Sequence, residues 1–335
     1  MKHLRLRGTH YEIGRAYGES IRGIDSYQIS SEERIEFALK CEERLDIHAP
    51  DLVEELRGFS DGLNLDYHSV ITTCLVPTEM SGCNLFTIKG EHTSGGHPFF
   101  VRHMDWLEED LKHLNLLETS PHEKYTVLGF NFSDFGCYDG INNAGLAIGS
   151  ASIPFYTGKN NIGLRENIAT RWTLDNFSTV KEAVSYLKNI PHTNAIVFLI
   201  ADNTGTSARV ECTPTRVAAE ISENSINIVC NFFILNEMVE LDRMPKEDRA
   251  WNYYRRIKQW FSDHRKELNL EHVKEICRSH DNGICEHLDN PPGGTIYSWI
   301  TELGTDMIHL AVGYPCRNKY QTYRIRHHKL NRPGS

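Results

Sequence analysis

The spacing of apolar and polar residues divides the chain into two parts. Apolar residues recur at helical spacing from Tyr11 to Ile24, and the stretch from Ser31 to Leu45 is charged and periodic. A third stretch, from Pro50 to Gly62, begins with a proline and ends at a glycine, as many helices do. This pattern predicts that residues up to about 75 are helical.

Beyond residue 82 the pattern changes to blocks of strands and blocks of helices. The predicted strands are 85–88, 99–101, 125–132, 146–150, 195–200, 208–212, 226–233, 296–301 and 307–312. The predicted helices are 165–189, 246–266 and 270–279, and Thr179 with Glu182 fits a capping box inside the first of them. Strict alternation of strand and helix, which a parallel doubly wound sheet needs, is absent. The order fits an α+β fold of two stacked antiparallel sheets with helices on their outer faces.

Composition and charge narrow the class of protein. The hydrophobic fraction of 40% and the charged fraction of 24% are typical of globular proteins, and 335 residues suffice for a sizeable core. A net charge of −9 with interspersed signs argues against nucleic acid or an anionic membrane surface as a partner. The stretch from Met1 to Gly8 lacks the apolar region of a signal peptide, and no apolar run reaches membrane-spanning length. These features predict a cytoplasmic protein.

The cysteines indicate reduced thiols and no metal. They are odd in number and irregularly spaced: Cys41, Cys74, Cys83, Cys137, Cys212, Cys230, Cys277, Cys285 and Cys316. We therefore expect them to be mostly buried and unpaired in the cytoplasm. Cys277, His280, Cys285 and His287 are close in sequence, but their spacing is not a usual zinc set and a helix would splay part of it. No phosphate loop or dinucleotide fingerprint is present, so we predict neither a metal nor a cofactor.

The pair Gly82-Cys83, with Arg102 and Asp105 on the next strand-like run, carries the clearest chemical signal. A cysteine attacks as its thiolate, and its ordinary pKa of about 8.5 leaves little thiolate at neutral pH. No papain-like motif surrounds Cys83, so we predict that its own α-amino group, with a pKa of about 8, acts as the base. The chain must then be cut between Gly82 and Cys83 by attack of the thiol on the Gly82 carbonyl, which a glycine leaves unhindered.

Arg102 and Asp105 also allow a structural interpretation. Residues three apart on a regular strand point to opposite faces, so only a bend or bulge would bring both side chains into one site. An ordinary ion pair is the alternative.

Taken in order, these motifs resemble the acyl-coenzyme A:6-aminopenicillanic-acid acyltransferase family (peptidase family C45). This family belongs to the N-terminal-nucleophile (Ntn) hydrolase superfamily and is related to choloylglycine hydrolases and penicillin V acylases. The resemblance covers nearly the whole chain. Its motifs are Arg7-Gly8-Thr9-His10-Tyr11-Glu12-Ile13-Gly14, Gly82-Cys83, Arg102 to Trp106, Asp139-Gly140-Ile141-Asn142-Asn143-Ala144-Gly145-Leu146, Asn231, Ser279-His280-Asp281-Asn282-Gly283-Ile284-Cys285 and Gly313-Tyr314-Pro315-Cys316.

The resemblance implies a fold and a division of the chain. The fold would be an αββα four-layer sandwich with two stacked antiparallel sheets. Residues 1–82 would be a helical pro-segment, removed by self-cleavage and remaining bound as a small chain. Residues 83–335 would be the catalytic domain.

The resemblance also implies roles for site residues. Cys83 would be the nucleophile, and Arg102 would lower the pKa of its thiol. Asp105 would orient the free amine, and Asn231 would donate to the oxyanion. Asn142 would steady the amine or the intermediate, although its turn sequence explains an asparagine there on backbone grounds alone.

Two positions depart from the family's pattern, and in one helix the residue that corresponds to the family's arginine is not determined. Leu85 stands where relatives often have Thr or Ser, and Glu286 stands where many have Arg. The helix that often carries a functional arginine has candidates throughout 249–256. These departures weaken the transfer of substrate identity more than that of reaction class.

The predicted function is hydrolysis of a linear, non-peptide amide of a small N-acyl compound through a Cys83 thioester. Acyl transfer to an amine, as in penicillin acyltransferases, is the first alternative, with an amine or a coenzyme A thioester as co-substrate. An uncleaved, non-catalytic homologue that binds a small acyl or amide ligand is the second. The acyl substrate, the acceptor and homo-oligomer formation stay open.

Overall fold

Two β-sheets form the centre of the structure, and α-helices cover the outer face of each. The computed structural model describes residues 1–24, 27, 31–77, 82–222, 224–264, 267–281 and 283–326. The helices are α1 (His10–Ser20), α2 (Glu32–His48), α3 (Pro50–Leu63), α4 (Tyr67–Leu75), α5 (Glu166–Asn176), α6 (Val180–Asn189), α7 (Arg249–Asp263) and α8 (Leu270–Arg278). Asn282 of the quoted motif and residues 265–266 of a predicted helix lie outside the described residues.

The strands run through the whole chain. They are β1 (Lys2–Gly8), β2 (Cys83–Ile88), β3 (Phe99–Leu107), β4 (Asn115–Pro121), β5 (Val127–Asn131), β6 (Asp139–Asn142), β7 (Ala147–Ser152), β8 (Ile196–Ala201), β9 (Ser207–Thr213), β10 (Arg216–Ser222), β11 (Ile226–Val229), β12 (His287–Asp289), β13 (Pro292–Glu302), β14 (Met307–Val312) and β15 (Gln321–Arg324). The first sheet has the order β1-β4-β5-β6-β7-β8-β9-β10. The second has the order β11-β2-β3-β13-β14-β15, with β12 paired to β13.

Three apolar cores separate the layers. The first lies between helices α1 to α6 and the outer face of the first sheet. The second fills the space between the sheets and includes Cys83, Leu85, Met104 and Trp299. The third packs α7 and α8 on the outer face of the second sheet. This arrangement confirms the predicted αββα four-layer sandwich.

Two features of the sheets correct the sequence predictions. The sequence pattern places residues 2–8 in a helical segment, but they form β1, which pairs with β4 in parallel, so the first sheet is not wholly antiparallel. The sequence also missed β4, β6, β10, β12 and β15. Several of them pair with strands that neighbour them in sequence, such as β10 with β9 and β12 with β13, but their own short patterns carry little signal.

The helices of residues 1–77 pack closely because α1 and α3 share small residues. Gly14 and Gly18 of α1 face Gly58 and Gly62 of α3, and a Cβ at any of the four would overlap backbone of the facing helix. On the same helix, Glu55 of α3 pairs with Arg171 of α5 at 2.8 Å. In the described residues no helix is both long enough and apolar enough to cross a membrane.

Candidate active site

Cys83 is the first residue of β2, and its side chain points into the layer between the sheets. The residue is 1% exposed. Across the ladder it pairs with Met104 of β3, and the two sulfur atoms are 3.6 Å apart. The Nη2 of Arg102 donates to Cys83 Sγ at 3.1 Å. The predicted nucleophile and the predicted arginine are therefore in direct contact.

Arg102 is fixed by groups from both sheets. Its Nε donates to Asp139 Oδ2 at 3.0 Å, and its Nη1 donates to the His103 carbonyl at 2.8 Å. Asp139 lies on β6 of the other sheet and also accepts from Tyr297 Oη at 2.6 Å and from Trp299 Nε1 at 2.7 Å. Arg102 is thus held by a carboxylate that is itself held from the second sheet.

Burial controls the protonation state of the Cys83 thiol. Removal from water raises the pKa of Cys83 above its ordinary value, and the charge of Arg102 offsets only part of that rise. In the uncleaved chain the sulfur therefore keeps its proton at neutral pH. Arg102 lowers the pKa of the thiol, in the predicted direction, but burial raises it by more.

Hydrogen bonds hold both sides of the Gly82–Cys83 peptide bond. The Cys83 N–H donates to Asn231 Oδ1 at 2.7 Å. The Gly82 carbonyl accepts from the Asp105 N–H at 3.0 Å. Asn231 lies two residues beyond β11, and its Nδ2 donates to the Ser152 carbonyl at 2.8 Å. In this state Asn231 Oδ1 orients the nitrogen. Nδ2 carries two hydrogens, of which one is donated to Ser152, and its role as an oxyanion donor stays a prediction.

Asp105 faces the outer helix layer, opposite to Arg102. Its carboxylate accepts from Tyr253 Oη and from Thr295 Oγ1, both at 2.8 Å. Tyr253, on α7, also contacts Glu286 Oε2 at 3.2 Å. The side chains of Arg102 and Asp105 therefore point to opposite faces, as on a regular strand, and the register shift in β13 between Thr295 and Tyr297 does not bring them together. Asp105 reaches the junction through its backbone, and contact of its carboxylate with the free amine stays a prediction.

Among the arginines of residues 249–256, Arg249 is the one that lies beside Gly82. It is the first residue of α7, and a Cβ built on Gly82 would lie 2.8 Å from its Nη2. Burial raises the pKa of the Asp105 carboxyl, and the positive charge of Arg249 opposes that rise. Arg249 Nη1 is buried and has no hydrogen-bond partner among the described residues. The guanidinium beside Gly82 therefore carries a buried donor without a partner among the described residues.

Asn142 is not brought to this junction. Its Nδ2 donates to the carbonyls of Leu174 and Phe177, at 2.8 and 2.7 Å. Its Oδ1 accepts from the N–H groups of Ala144 and Leu146, at 3.1 and 3.0 Å. The side chain therefore ties the turn after β6 to the end of α5, which is the backbone role its turn sequence allowed.

The two departures from the family's pattern lie on opposite faces of the second sheet. Leu85 points into the space between the sheets, and a Cβ on Gly149 would lie 2.5 Å from its Cδ2. Glu286 lies beside Tyr253 on the helix side. Sequence reasoning missed Asp139, Ser152, Tyr253 and Thr295 as neighbours of the junction or its supports. Only Asp139 left a signal, as a carboxylate inside a motif already quoted.

Comparison with known proteins identifies the family. A family model described as "Acyl-coenzyme A:6-aminopenicillanic acid acyl-transferase" matches residues 92–317, well over half of the chain. The chain belongs to this family. The matched part includes Arg102, Asp105 and Asn231 and begins after Cys83, so the role of Cys83 depends on the geometry described above. Membership confirms the predicted resemblance and supports the expected class of cysteine Ntn amidohydrolase or acyltransferase.

Individual relatives are more distant. A bile salt hydrolase/transferase from Clostridium perfringens is 32% identical over an alignment of 130 residues, and the match covers 32% of this chain and 38% of that protein. The chain thus matches well under half of this relative's length. Penicillin V acylase from Agrobacterium tumefaciens has a TM-score of 0.48 at 21% identity, covering 69% of this chain and 83% of that one. A mutant of conjugated bile acid hydrolase from Clostridium perfringens has a TM-score of 0.47 at 17% identity, covering 73% and 97%.

Proposed function

We propose that this protein is a self-processing cysteine amidohydrolase that cleaves a linear, non-peptide amide bond of a small N-acyl compound through a thioester on Cys83. One observation carries the proposal: the Gly82–Cys83 bond has a partner on its nitrogen, on its carbonyl oxygen and on the sulfur beside it. Such an arrangement positions a thiol and a peptide bond for reaction with each other.

Self-cleavage would begin with attack of Cys83 Sγ on the Gly82 carbonyl carbon. A C–S bond forms, the C–N bond to Cys83 breaks, and the thiol proton passes to the departing nitrogen. The Asp105 N–H would stabilise the oxyanion that develops on the Gly82 oxygen. Water then hydrolyses the thioester: its oxygen bonds to the Gly82 carbonyl carbon as the C–S bond breaks, one of its protons goes to the sulfur, and the other passes to the new α-amine, which leaves a carboxylate on Gly82.

The same groups would serve the mature enzyme. The freed α-amine of Cys83 takes the thiol proton, and the thiolate attacks the substrate's amide carbon. Arg102 stabilises the anionic sulfur, and Asn231 Oδ1 accepts from the amine, as it accepts from the same nitrogen in the intact chain. The amine leaving group receives the proton, and water releases the acyl group from Cys83.

The pro-segment, residues 1–82, would stay bound after cleavage. β1 is a strand of the first sheet, and Arg171 of α5 forms an ion pair with Glu55 of α3 at 2.8 Å. His10 adds a contact to Glu55 at 2.6 Å, and all three groups are buried. Loss of the segment would expose an apolar core and leave the buried Arg171 with only one of its two carboxylate partners. Both changes would destabilise the remaining part of the protein.

Hydrolysis and acyl transfer differ in the acyl acceptor, which is water in hydrolysis and an amine in acyl transfer. The family's description names an acyltransferase, and the curated relative's name includes both activities. We favour water as acceptor and a small N-acyl amide as substrate. Product analysis with penicillin V or a bile-salt amide, with and without an added amine, separates the two: an acylated amine as the main product would make the enzyme an acyltransferase.

Intact-mass analysis of the purified full chain is the first test. Cleavage before Cys83 of the 38.4 kDa chain predicts pieces of about 9 and about 29 kDa. Cys83→Ala should give one full-length mass. Cys212→Ala, which removes another buried strand cysteine, should still cleave. A full-length mass for the wild type as well would remove the free amine from the mechanism and favour a non-catalytic binding homologue.

A further inference from the structure

Three of the histidines and cysteines that are close in sequence converge with a fourth residue, Cys316, in the folded structure. They offer two nitrogen and two sulfur atoms, all within 4.8 Å of one another: His280, Cys285, His287 and Cys316. His287 Nε2 lies 3.2 Å from Cys316 Sγ and 3.9 Å from Cys285 Sγ. We propose that these four residues bind a zinc ion.

The distances suit that metal. Zinc bonds of about 2.3 Å to sulfur and about 2.0 Å to nitrogen place neighbouring ligands of a tetrahedral site about 3.3–3.8 Å apart. Two of the separations, 3.2 and 3.9 Å, lie close to that range, and side-chain rotations would bring in the widest, which is up to 4.8 Å. Two thiolates and two imidazoles form a common structural zinc set, and the pair of thiolates selects against calcium and magnesium.

The sequence spacing argued against a zinc site because part of the set lies on a helix. In the fold, the residue on that helix is not one of the four ligands. Cys277, which a helix would splay away, lies on α8 in the third core and is not part of the cluster. Cys316 replaces it from the turn that follows β14. Cys285 and His287 flank one residue, and their side chains meet with Sγ and Nε2 3.9 Å apart. Gly313, with φ of +82°, lets the chain turn so that Cys316 reaches them.

Supporting contacts orient both imidazoles. His280 Nδ1 lies 2.9 Å from the Cys285 carbonyl, which fixes a tautomer whose Nε2 is free to bind a metal. The His287 ring stacks on Tyr314, with centroids 3.9 Å apart, and Tyr314 Oη donates to the Gly293 carbonyl at 2.8 Å. Cys285 is buried, whereas His280 is exposed, so a metal ion can enter from the solvent side.

The zinc ion would take no part in the reaction itself. It would influence the catalytic centre only by holding a neighbouring segment in place. Cys285 and His287 flank Glu286, whose N–H donates to Thr295 Oγ1 at 3.0 Å. Thr295 and Tyr253, both neighbours of Glu286, hold the carboxylate of Asp105. Zinc would therefore anchor the segment that supports Asp105, at some distance from Cys83. The proposal holds whether or not the chain cleaves itself, because all four ligands lie in residues 83–335.

The test is metal analysis of the full chain, purified with a reducing agent and dialysed against metal-free buffer. We expect one equivalent of zinc by mass spectrometry, and after exchange into Co²⁺ the visible bands of a tetrahedral site with thiolate charge transfer. Cys316→Ser and His280→Asn should lose the metal. Cys277→Ser and His272→Asn, changes of the same kind on α8, should keep it.

Three results would overturn the proposal. The first is a reduced wild type that contains no zinc and gives no tetrahedral Co²⁺ spectrum. The second is metal content that is unchanged in Cys316→Ser and in His280→Asn. Thiol titration of the denatured wild type without reductant gives the third: a deficit of two thiols that Cys316→Ser removes would assign Cys285 and Cys316 to a disulfide instead of a zinc site. Because His280 is exposed, His280→Asn should fold even if a cysteine variant does not.

Discussion

The guanidinium of Arg102 crosses the space between the two sheets and meets the carboxylate of Asp139, with Nε and Oδ2 3.0 Å apart. Both residues are 0% exposed. Tyr297 and Trp299 donate to the same carboxylate. Asp139 therefore fixes the plane in which Arg102 reaches the sulfur of Cys83, and it acts as a positioning residue.

Asp139→Asn should slow both self-cleavage and amide hydrolysis by about 10- to 100-fold, because the arginine loses the charge that orients it. The buried, unpaired guanidinium should also lower the free energy of unfolding by about 3–5 kcal/mol. Asp175→Asn breaks a comparable buried pair with Arg171, 2.9 Å long, in the helix layer. It should destabilise the protein and leave the cleavage rate per folded molecule unchanged. Equal slowing by both variants would reduce Asp139 to a structural role.

Substitutions of Asn142 and Asn231 should have different effects: the first should lower the stability of the protein, and the second should slow its self-cleavage. Asn142→Ala leaves four backbone groups without their partners and should lower the free energy of unfolding by at least about 1–3 kcal/mol. Its cleavage rate per folded molecule should stay at the wild-type value. Asn231→Ala frees the Cys83 nitrogen and should slow cleavage by about 10- to 100-fold. Thermal melts and intact-mass time courses measure the two effects, and the reverse result would return Asn142 to the site.

Glu55 should carry much of the attachment of the pro-segment. In an uncleavable Cys83→Ala background, Glu55→Gln leaves Arg171 and His10 facing a neutral amide and should lower the free energy of unfolding by about 3–5 kcal/mol. Glu54→Gln is the matched control, because Glu54 forms an exposed pair with Arg57 on the same helix. That change should cost less than about 1 kcal/mol. Urea titration compares them, and similar midpoints would contradict the attachment.

The pairing of His10 with Glu55 should make stability depend on pH. Burial alone would lower the pKa of His10, but the hydrogen bond and charge of Glu55 outweigh it, so the pKa lies above its ordinary 6.5. A raised pKa means that the folded state binds the proton more tightly than the unfolded state. The stabilisation is therefore complete below the ordinary pKa of 6.5 and is lost as the pH rises through the raised pKa.

The measurement is the difference in unfolding free energy between Cys83→Ala and Cys83→Ala/His10→Asn across pH. The difference should shrink from acid to alkaline pH. The pKa of Glu55 is lowered from 4.5, because Arg171 and His10 outweigh its burial, so its own contribution is lost only as the pH falls through that lowered value. A difference that grows with pH would mean that His10 is neutral in the folded protein.

Local sequence determined much of this protein. The capping box of Thr179 and Glu182 begins α6 as predicted, because both of its hydrogen bonds lie within the first turn of the helix. The block order beyond residue 82 predicted the layered fold, and Gly82-Cys83 predicted where to look for chemistry. These inferences need only periodicity, turn residues and the intrinsic chemistry of side chains.

Only the tertiary structure determined which residues contact one another. Asp139, Arg249 and Cys316 acquire their roles from residues far away along the chain, as the contacts to Arg102, Gly82 and His287 show. β1 is a strand because β4 pairs with it. Asn142, in contrast, was a candidate for the site until its amide was seen to hold a turn. Ion pairs, ligand sets and sheet edges depend on which distant segments meet, and that is fixed only when the apolar cores between the layers form.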